Sequence, residues 1–155
     1  MKKLVFACLF IVANWVVIHA QKQINPDFNL TQSGIAIQGY DPVAYFTANR
    51  AMKGDTTFTT NFEGAIYCFA NAENKIMFLK SPDKYAPTYG GWCAYAMGET
   101  GKKIDINPET FKVFDGKLYL FYNAKKVNTL TLWNSNEATL KMKADERWGS
   151  YMDKP

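Results

Sequence analysis

Two lysines, Lys2 and Lys3, open the chain; it is then almost entirely apolar from Leu4 to Ile18 and turns polar at Gln21. Positive charge, apolar run and a small residue at Ala20 follow in the order of a cleavable secretory signal, which predicts a signal peptide at residues 1–20. The apolar run falls short of the roughly 20 residues a membrane-spanning helix needs, which argues against the alternative of a retained anchor. Residues 21–34 are polar, contain Asn25-Pro26-Asp27 and show no periodicity, so a flexible lead-in is expected there.

From residue 35 onward the pattern changes to short periodic elements. Phe58 to Phe62 and Ala65 to Ala70 read as two strands joined across Glu63-Gly64. Phe111 to Phe114 and Lys117 to Tyr122 read as a second hairpin across Asp115-Gly116, a strong type I′ turn signal. Helices are predicted near 72–80, 92–98 and 136–148. In the first, Asn71 is placed to cap, Ala72, Ile76 and Leu79 share a stripe, and Phe78 lies near it. The second follows Gly90-Gly91 and ends at Gly98. The third opens at Asn136 and carries Ala138, Met142 and Trp148. A short helical turn at 43–46 follows Asp41, suited to cap it, and Pro42, suited to its first position. The predicted fold is a small single α+β domain over residues 35–150, two antiparallel β-hairpins packed with short helices.

Composition adjusts this picture in three ways. A length of 155 residues favours one domain, and 15% aromatic residues let a small domain build a sizeable core. The formal charge of +4 includes Lys2 and Lys3, so the domain itself carries only about +2 and no basic stripe. That charge excludes a nucleic-acid footprint. No second long apolar run follows, so no membrane association is expected after signal cleavage. The expected location is periplasmic or secreted.

Signal cleavage also sets the available chemistry. It removes the one histidine, His19, and one of three cysteines, Cys8, leaving Cys68 and Cys93. Histidine zinc sites and serine–histidine catalysis are thereby excluded. Cys93, just after Gly90-Gly91 and in the first turn of the expected helix, sits where unpaired backbone N–H groups favour a thiolate. The alternative is a small buried hydrophobe. Met97 stands one helical turn further on, and thiolate with thioether is a soft donor set that selects copper(I). Cys68 on its strand and Met77 on the preceding helix are further sulfur candidates, each with core packing as the alternative. Tyr40, Asp41, Tyr89, Gly90 and Gly91, with Tyr85, are placed to line a pocket shared with Cys93. Asp105 and Asp115 read as turn residues and Glu73 as a first-turn helix acid. No paired carboxylates and no nucleophile with its base are signalled, which argues against an enzyme.

Several motifs stand in register. They are Gly39-Tyr40-Asp41-Pro42-Val43-Ala44-Tyr45-Phe46, Phe69-Ala70-Asn71-Ala72-Glu73-Asn74-Lys75 and Pro82-Asp83-Lys84-Tyr85-Ala86-Pro87. Tyr89-Gly90-Gly91-Trp92-Cys93-Ala94, Asp115-Gly116-Lys117-Leu118-Tyr119-Leu120 and Trp148 complete the series. In that order they resemble the exported branch of the YHS-domain family over residues 35–150. The resemblance implies a small metal-associated module. The family carries cysteines where this chain has Ala44 and Ala70, and the Tyr-His-Ser tripeptide is absent, so metal ligands would have to be other residues.

Together these readings predict an exported non-enzymatic binding module for a metal ion or small molecule. Copper(I) is the metal expected, through Cys93 with Cys68 and Met97. The alternatives are a thiol redox protein cycling a Cys68–Cys93 disulfide and an inert structural or interaction domain. Mass spectrometry of the exported protein should find a chain beginning at Gln21, and a mature chain retaining Lys2 and Lys3 would overturn the signal assignment.

Overall fold

The computed structural model describes residues 25–153, so the predicted signal peptide and the first residues of the lead-in lie outside the described residues. Two dipeptides organise the strands. Glu63 and Gly64 have φ of 50° and 82°, and Asp115 and Gly116 have φ of 50° and 69°. Left-handed backbone at both central positions is the type I′ turn, whose twist matches that of antiparallel strands. The first turn joins β1 (Asp55–Phe62) to β2 (Ala65–Phe69), and the second joins β3 (Asn107–Phe114) to β4 (Lys117–Phe121). A third hairpin of β5 (Asn123–Ala124) and β6 (Val127–Asn128) turns at Lys125 and Lys126, also left-handed. Each hairpin is its own two-stranded antiparallel sheet.

Helices fill the spaces between. They are α1 (Ala44–Thr47), α2 (Ala72–Lys80), α3 (Pro82–Tyr85), α4 (Ala94–Thr100), α5 (Thr129–Ser135) and α6 (Glu137–Met152). The architecture is the predicted α+β domain. Asn71 caps α2 as predicted, its Oδ1 accepting the Asn74 N–H at 2.8 Å. The predicted second helix begins two residues later than expected, the last extends to Met152, and α5 is additional.

β4 lies between two apolar clusters. Leu118 and Leu120 face a cluster with Val43, Tyr45, Tyr67, Phe69 and Phe78. Tyr119 and Phe121 face the other way, onto Met97, Trp133, Leu140 and Ala144. Strand side chains alternate between faces, so one strand serves both cores. The α2 stripe does not follow the prediction. Phe78 is fully buried, while Ile76 and Leu79 are 52% and 55% exposed, as is much of Met77. On α6, Leu140 and Ala144 are buried and Met142 points outward.

The segment read as a flexible lead-in is pinned where it is described. Asp27 pairs with Lys103 at 2.7 Å and its carbonyl accepts the Trp92 indole N–H at 2.7 Å. The Ala36 N–H donates to Ile66 O and the Ile66 N–H to Gly34 O, both at 2.8 Å, which docks the chain along β2. Phe28 and Leu30 pack against the first cluster. Polar sequence hid this because the anchoring groups are backbone amides and isolated apolar side chains.

α4 and α6 cross in close contact at Gly98, where an added Cβ would stand 2.5 Å from the Leu140 carbonyl oxygen. The Arg147 guanidinium, from α6, donates to the Met97 and Gly98 carbonyls and satisfies the end of α4. Gly98→Ala should therefore lower stability to chemical denaturation by about 2 kcal/mol, the scale of core overpacking. Gly149 lies on the same α6 with nothing near its Cβ direction. Gly149→Ala should instead raise stability by roughly 0.5–1 kcal/mol through helix propensity, and equal effects at the two sites would refute this account of the crossing.

Candidate functional site

Three consecutive left-handed residues mark the most constrained part of the chain. Tyr89, Gly90 and Gly91 have φ of 54°, 59° and 82°. Neighbours on both sides hold the turn. The Thr88 hydroxyl donates to Leu118 O at 2.9 Å, and Asn29 donates to Gly90 O through its backbone at 2.8 Å and to Gly91 O through its side chain at 3.2 Å. Gly90 also meets a steric requirement. A Cβ there would lie 2.7 Å from Trp148 Cη2 and 2.8 Å from Phe28 Cδ1. The glycine admits two aromatic rings against bare backbone.

Those rings help to form a cleft of about 360 Å³. Its apolar walls include Phe28, Phe62, Tyr67, Tyr89 and Trp148, and its charged rim is Glu63, Asp83, Asp145 and Lys117. It lies where the Glu63-Gly64 turn, the start of β4, the 86–90 segment and the end of α6 converge. The Tyr89 hydroxyl donates to Asp145 Oδ1 at 2.8 Å, and Asp145 Oδ2 pairs with Lys141 at 2.7 Å. Burial first, then the Asp145 contact, pushes the Tyr89 phenol above its ordinary range, so it remains a hydrogen-bond donor. The Lys141 ammonium is likewise held above its ordinary range by its hydrogen bond to Asp145.

Tyr89 and Gly90 line the cleft, while Tyr40, Asp41, Gly91 and Cys93 do not. Tyr40 lies instead under the Lys53 ammonium, 4.3 Å from its ring centroid. Asp41 is fully buried and accepts four hydrogen bonds, two at each oxygen. Oδ1 takes the Val43 and Ala44 N–H groups at 2.8 and 3.3 Å just ahead of α1, whose N-cap is Val43 rather than the predicted Asp41. Oδ2 takes the Ala70 N–H at 2.8 Å and the Asn74 side-chain amide at 2.6 Å. With every strong acceptor position used, this carboxylate ties α1, the end of β2 and α2 together and has no capacity left for a ligand. Tyr85 is buried in the first cluster. Asp105 accepts from its own region's Ile106 N–H at 2.8 Å and from Asn29 at 3.0 Å, in keeping with a loop role.

The predicted sulfur site does not assemble. Cys93 stands just before α4 rather than in its first turn, because the helix begins at Ala94, and it is fully buried, its Sγ 3.4 Å from both the Tyr122 N–H nitrogen and the Thr129 hydroxyl. Its side chain belongs to the first cluster, and that of Met97 belongs to the second. Cys68 follows Tyr67 on β2, so alternation turns it away from the cluster that holds Tyr67 and Cys93. Gly54 covers it so closely that a Cβ there would sit 2.6 Å from the Cys68 Cβ. Burial pushes the Cys68 thiol up, away from the thiolate. Met77 points outward on α2. Both cysteines are free, and no group of three or more Cys, His, Asp or Glu side chains is placed to hold a metal among the described residues. This donor arrangement does not fit copper(I), which needs sulfurs that converge and can be reached.

Sequence reasoning missed Phe28, Phe62, Tyr67 and Asp145 as cleft residues. The aromatic excess was the available signal, and it does not reveal which rings meet across long sequence separations. Compared with known proteins, the chain matches no protein-family model, no curated protein and no solved structure.

The burial of both thiols sets a measurable expectation. In the folded protein Cys68 and Cys93 should resist alkylation by iodoacetamide, and both should react once denaturant unfolds the domain. Rapid native labelling of Cys93 would show an access path that this packing excludes.

Proposed function

We propose that this chain is an exported, non-enzymatic binding module that receives a small molecule in the aromatic cleft above Gly90. The observation that carries the reading is Gly90 itself. A left-handed backbone position, stripped of its side chain and pressed by Trp148 and Phe28, builds a concave apolar surface at a constrained turn. Clefts of a few hundred Å³ with apolar walls and few polar groups are the usual form of small-molecule sites. Export is supported by the order of charge, apolar run and small residue in residues 1–20. The motifs that resemble the YHS-domain family accord with a small binding module.

Neither thiol contributes to this reading, since both are buried and face different surroundings. The copper(I) and thiol-redox alternatives therefore become outcomes of an experiment. Competition with a chromogenic copper(I) chelator should show no uptake that depends on Cys93. Uptake abolished by Cys93→Ser would replace the cleft reading with the metal reading, and a reversible Cys68–Cys93 disulfide would replace it with the redox reading.

The direct test uses benzyl alcohol as a neutral aromatic probe, followed by amide chemical shifts. Perturbations should centre on Tyr67, Tyr89, Gly90 and Trp148. Trp148→Ala should weaken binding by about tenfold, the scale of removing one aromatic wall. Shifts that map elsewhere, or no saturable binding, would remove the cleft as the functional site.

A further inference from the structure

We infer that the cleft selects small organic ammonium ions over neutral and anionic molecules of the same shape. The inference rests on the cleft reading above and adds the charge of the ligand.

The first support is the walls. Phe28, Phe62, Tyr67, Tyr89 and Trp148 line one cleft of about 360 Å³. The faces of aromatic rings carry negative electrostatic potential and attract cations, most strongly at Trp. A quaternary or primary ammonium loses less on leaving water when such rings surround it.

The second support is the unspent charge of the rim. Asp145 is already engaged by Lys141 and by the Tyr89 hydroxyl. Glu63 and Asp83 have carboxylates with no ion pair and no hydrogen-bond donor among the described residues, and the facing Lys117 ammonium likewise has no ion-pair partner there. Two free carboxylates against one free ammonium leave the rim negative. An anion entering the cleft would meet that field, and a neutral molecule would gain nothing from it.

The third support is a hydroxyl that opens to the cleft with no protein partner. Tyr67 is 3% exposed, lines the cleft, and its hydroxyl makes no hydrogen bond among the described residues. Its ring is fixed by packing on Phe78, with centroids 4.8 Å apart. Burial, and then the charge of Glu63, push this phenol upward, so it stays neutral and lends its oxygen as an acceptor to an ammonium or hydroxyl group.

Choline and its uncharged tert-butyl analogue, in which carbon replaces nitrogen, isolate the charge at constant shape. Titration followed by amide shifts and calorimetry should show choline binding at the cleft about tenfold more tightly than the analogue. The preference should shrink at high salt, because the Glu63 and Asp83 carboxylates are exposed. It should fall towards parity in the double variant Glu63→Gln, Asp83→Asn, whose native fold is checked by its amide spectrum. Acetate and benzoate should bind more weakly than either. If benzyl alcohol occupies the cleft but choline binds no better than its analogue, the ammonium preference is wrong and the binding-module reading stands. If benzoate binds best, Lys117 governs the site and the preference is overturned. If no probe perturbs the cleft, both readings fall.

Discussion

Burial of β4 on both faces is the constraint from which the rest of the domain follows. Leu118, Tyr119, Leu120 and Phe121 are each at most 1% exposed. A strand in a two-stranded sheet usually leaves one face to water, so each of its faces here needs a separate cover. α2, β2 and Tyr45 supply one cover, and α4, α5 and α6 supply the other. Truncating a buried leucine such as Leu118 or Leu120 costs about 2–5 kcal/mol where the surroundings cannot collapse. The double burial has a local penalty as well. The Tyr119 hydroxyl is buried with no hydrogen-bond partner among the described residues, at a cost on the order of 1–3 kcal/mol. The ring is kept because it packs between Trp133, at 5.7 Å, and Tyr89, at 6.0 Å.

The same strand fixes the cleft. The Pro87–Leu118 bridge and the Thr88 hydrogen bond to Leu118 O hold the 87–91 segment alongside β4. Once that segment is fixed, its left-handed residues place Tyr89 towards α6 and leave Gly90 facing Phe28 and Trp148. The Tyr89–Asp145–Lys141 chain then ties α6 to this segment, while Gly98 sets its close approach to α4 at Leu140. Cleft shape is therefore a consequence of core packing, with little freedom of its own.

Local signals in the sequence translated well into structure where the physics is local. Asp115-Gly116 and Glu63-Gly64 need left-handed backbone and contain glycine, so both hairpins were legible. Asn71 capped its helix through a contact three residues away. Lys125-Lys126 adopts the same turn without glycine or asparagine, so nothing in composition marked it. Ile76 and Leu79 read as a core stripe because period alone does not say which face meets a partner. Phe78 holds that role, packed on Tyr67, Phe69 and Phe62. The polar lead-in concealed Phe28 and Leu30, whose partners lie far along the chain.

The glycine pair shows why the site itself was half legible. Gly90-Gly91 correctly signalled a close approach, and the nearest reactive residue in sequence was Cys93. Distance along the chain misled here, because the glycines are the centre of the turn that the Trp92 N–H closes onto Tyr89 O, and the thiol lies just past it. Backbone freed by Gly90 faces Phe28 and Trp148, 62 and 58 positions away, while Cys93 turns inward against Tyr122 and Thr129. A glycine that admits aromatic rings and a cysteine that fills a core ask for opposite environments. Placing the glycine within a sharp turn and the cysteine just past it satisfies both. It also explains why sulfur chemistry and ligand space, adjacent in the sequence, are separate in the fold.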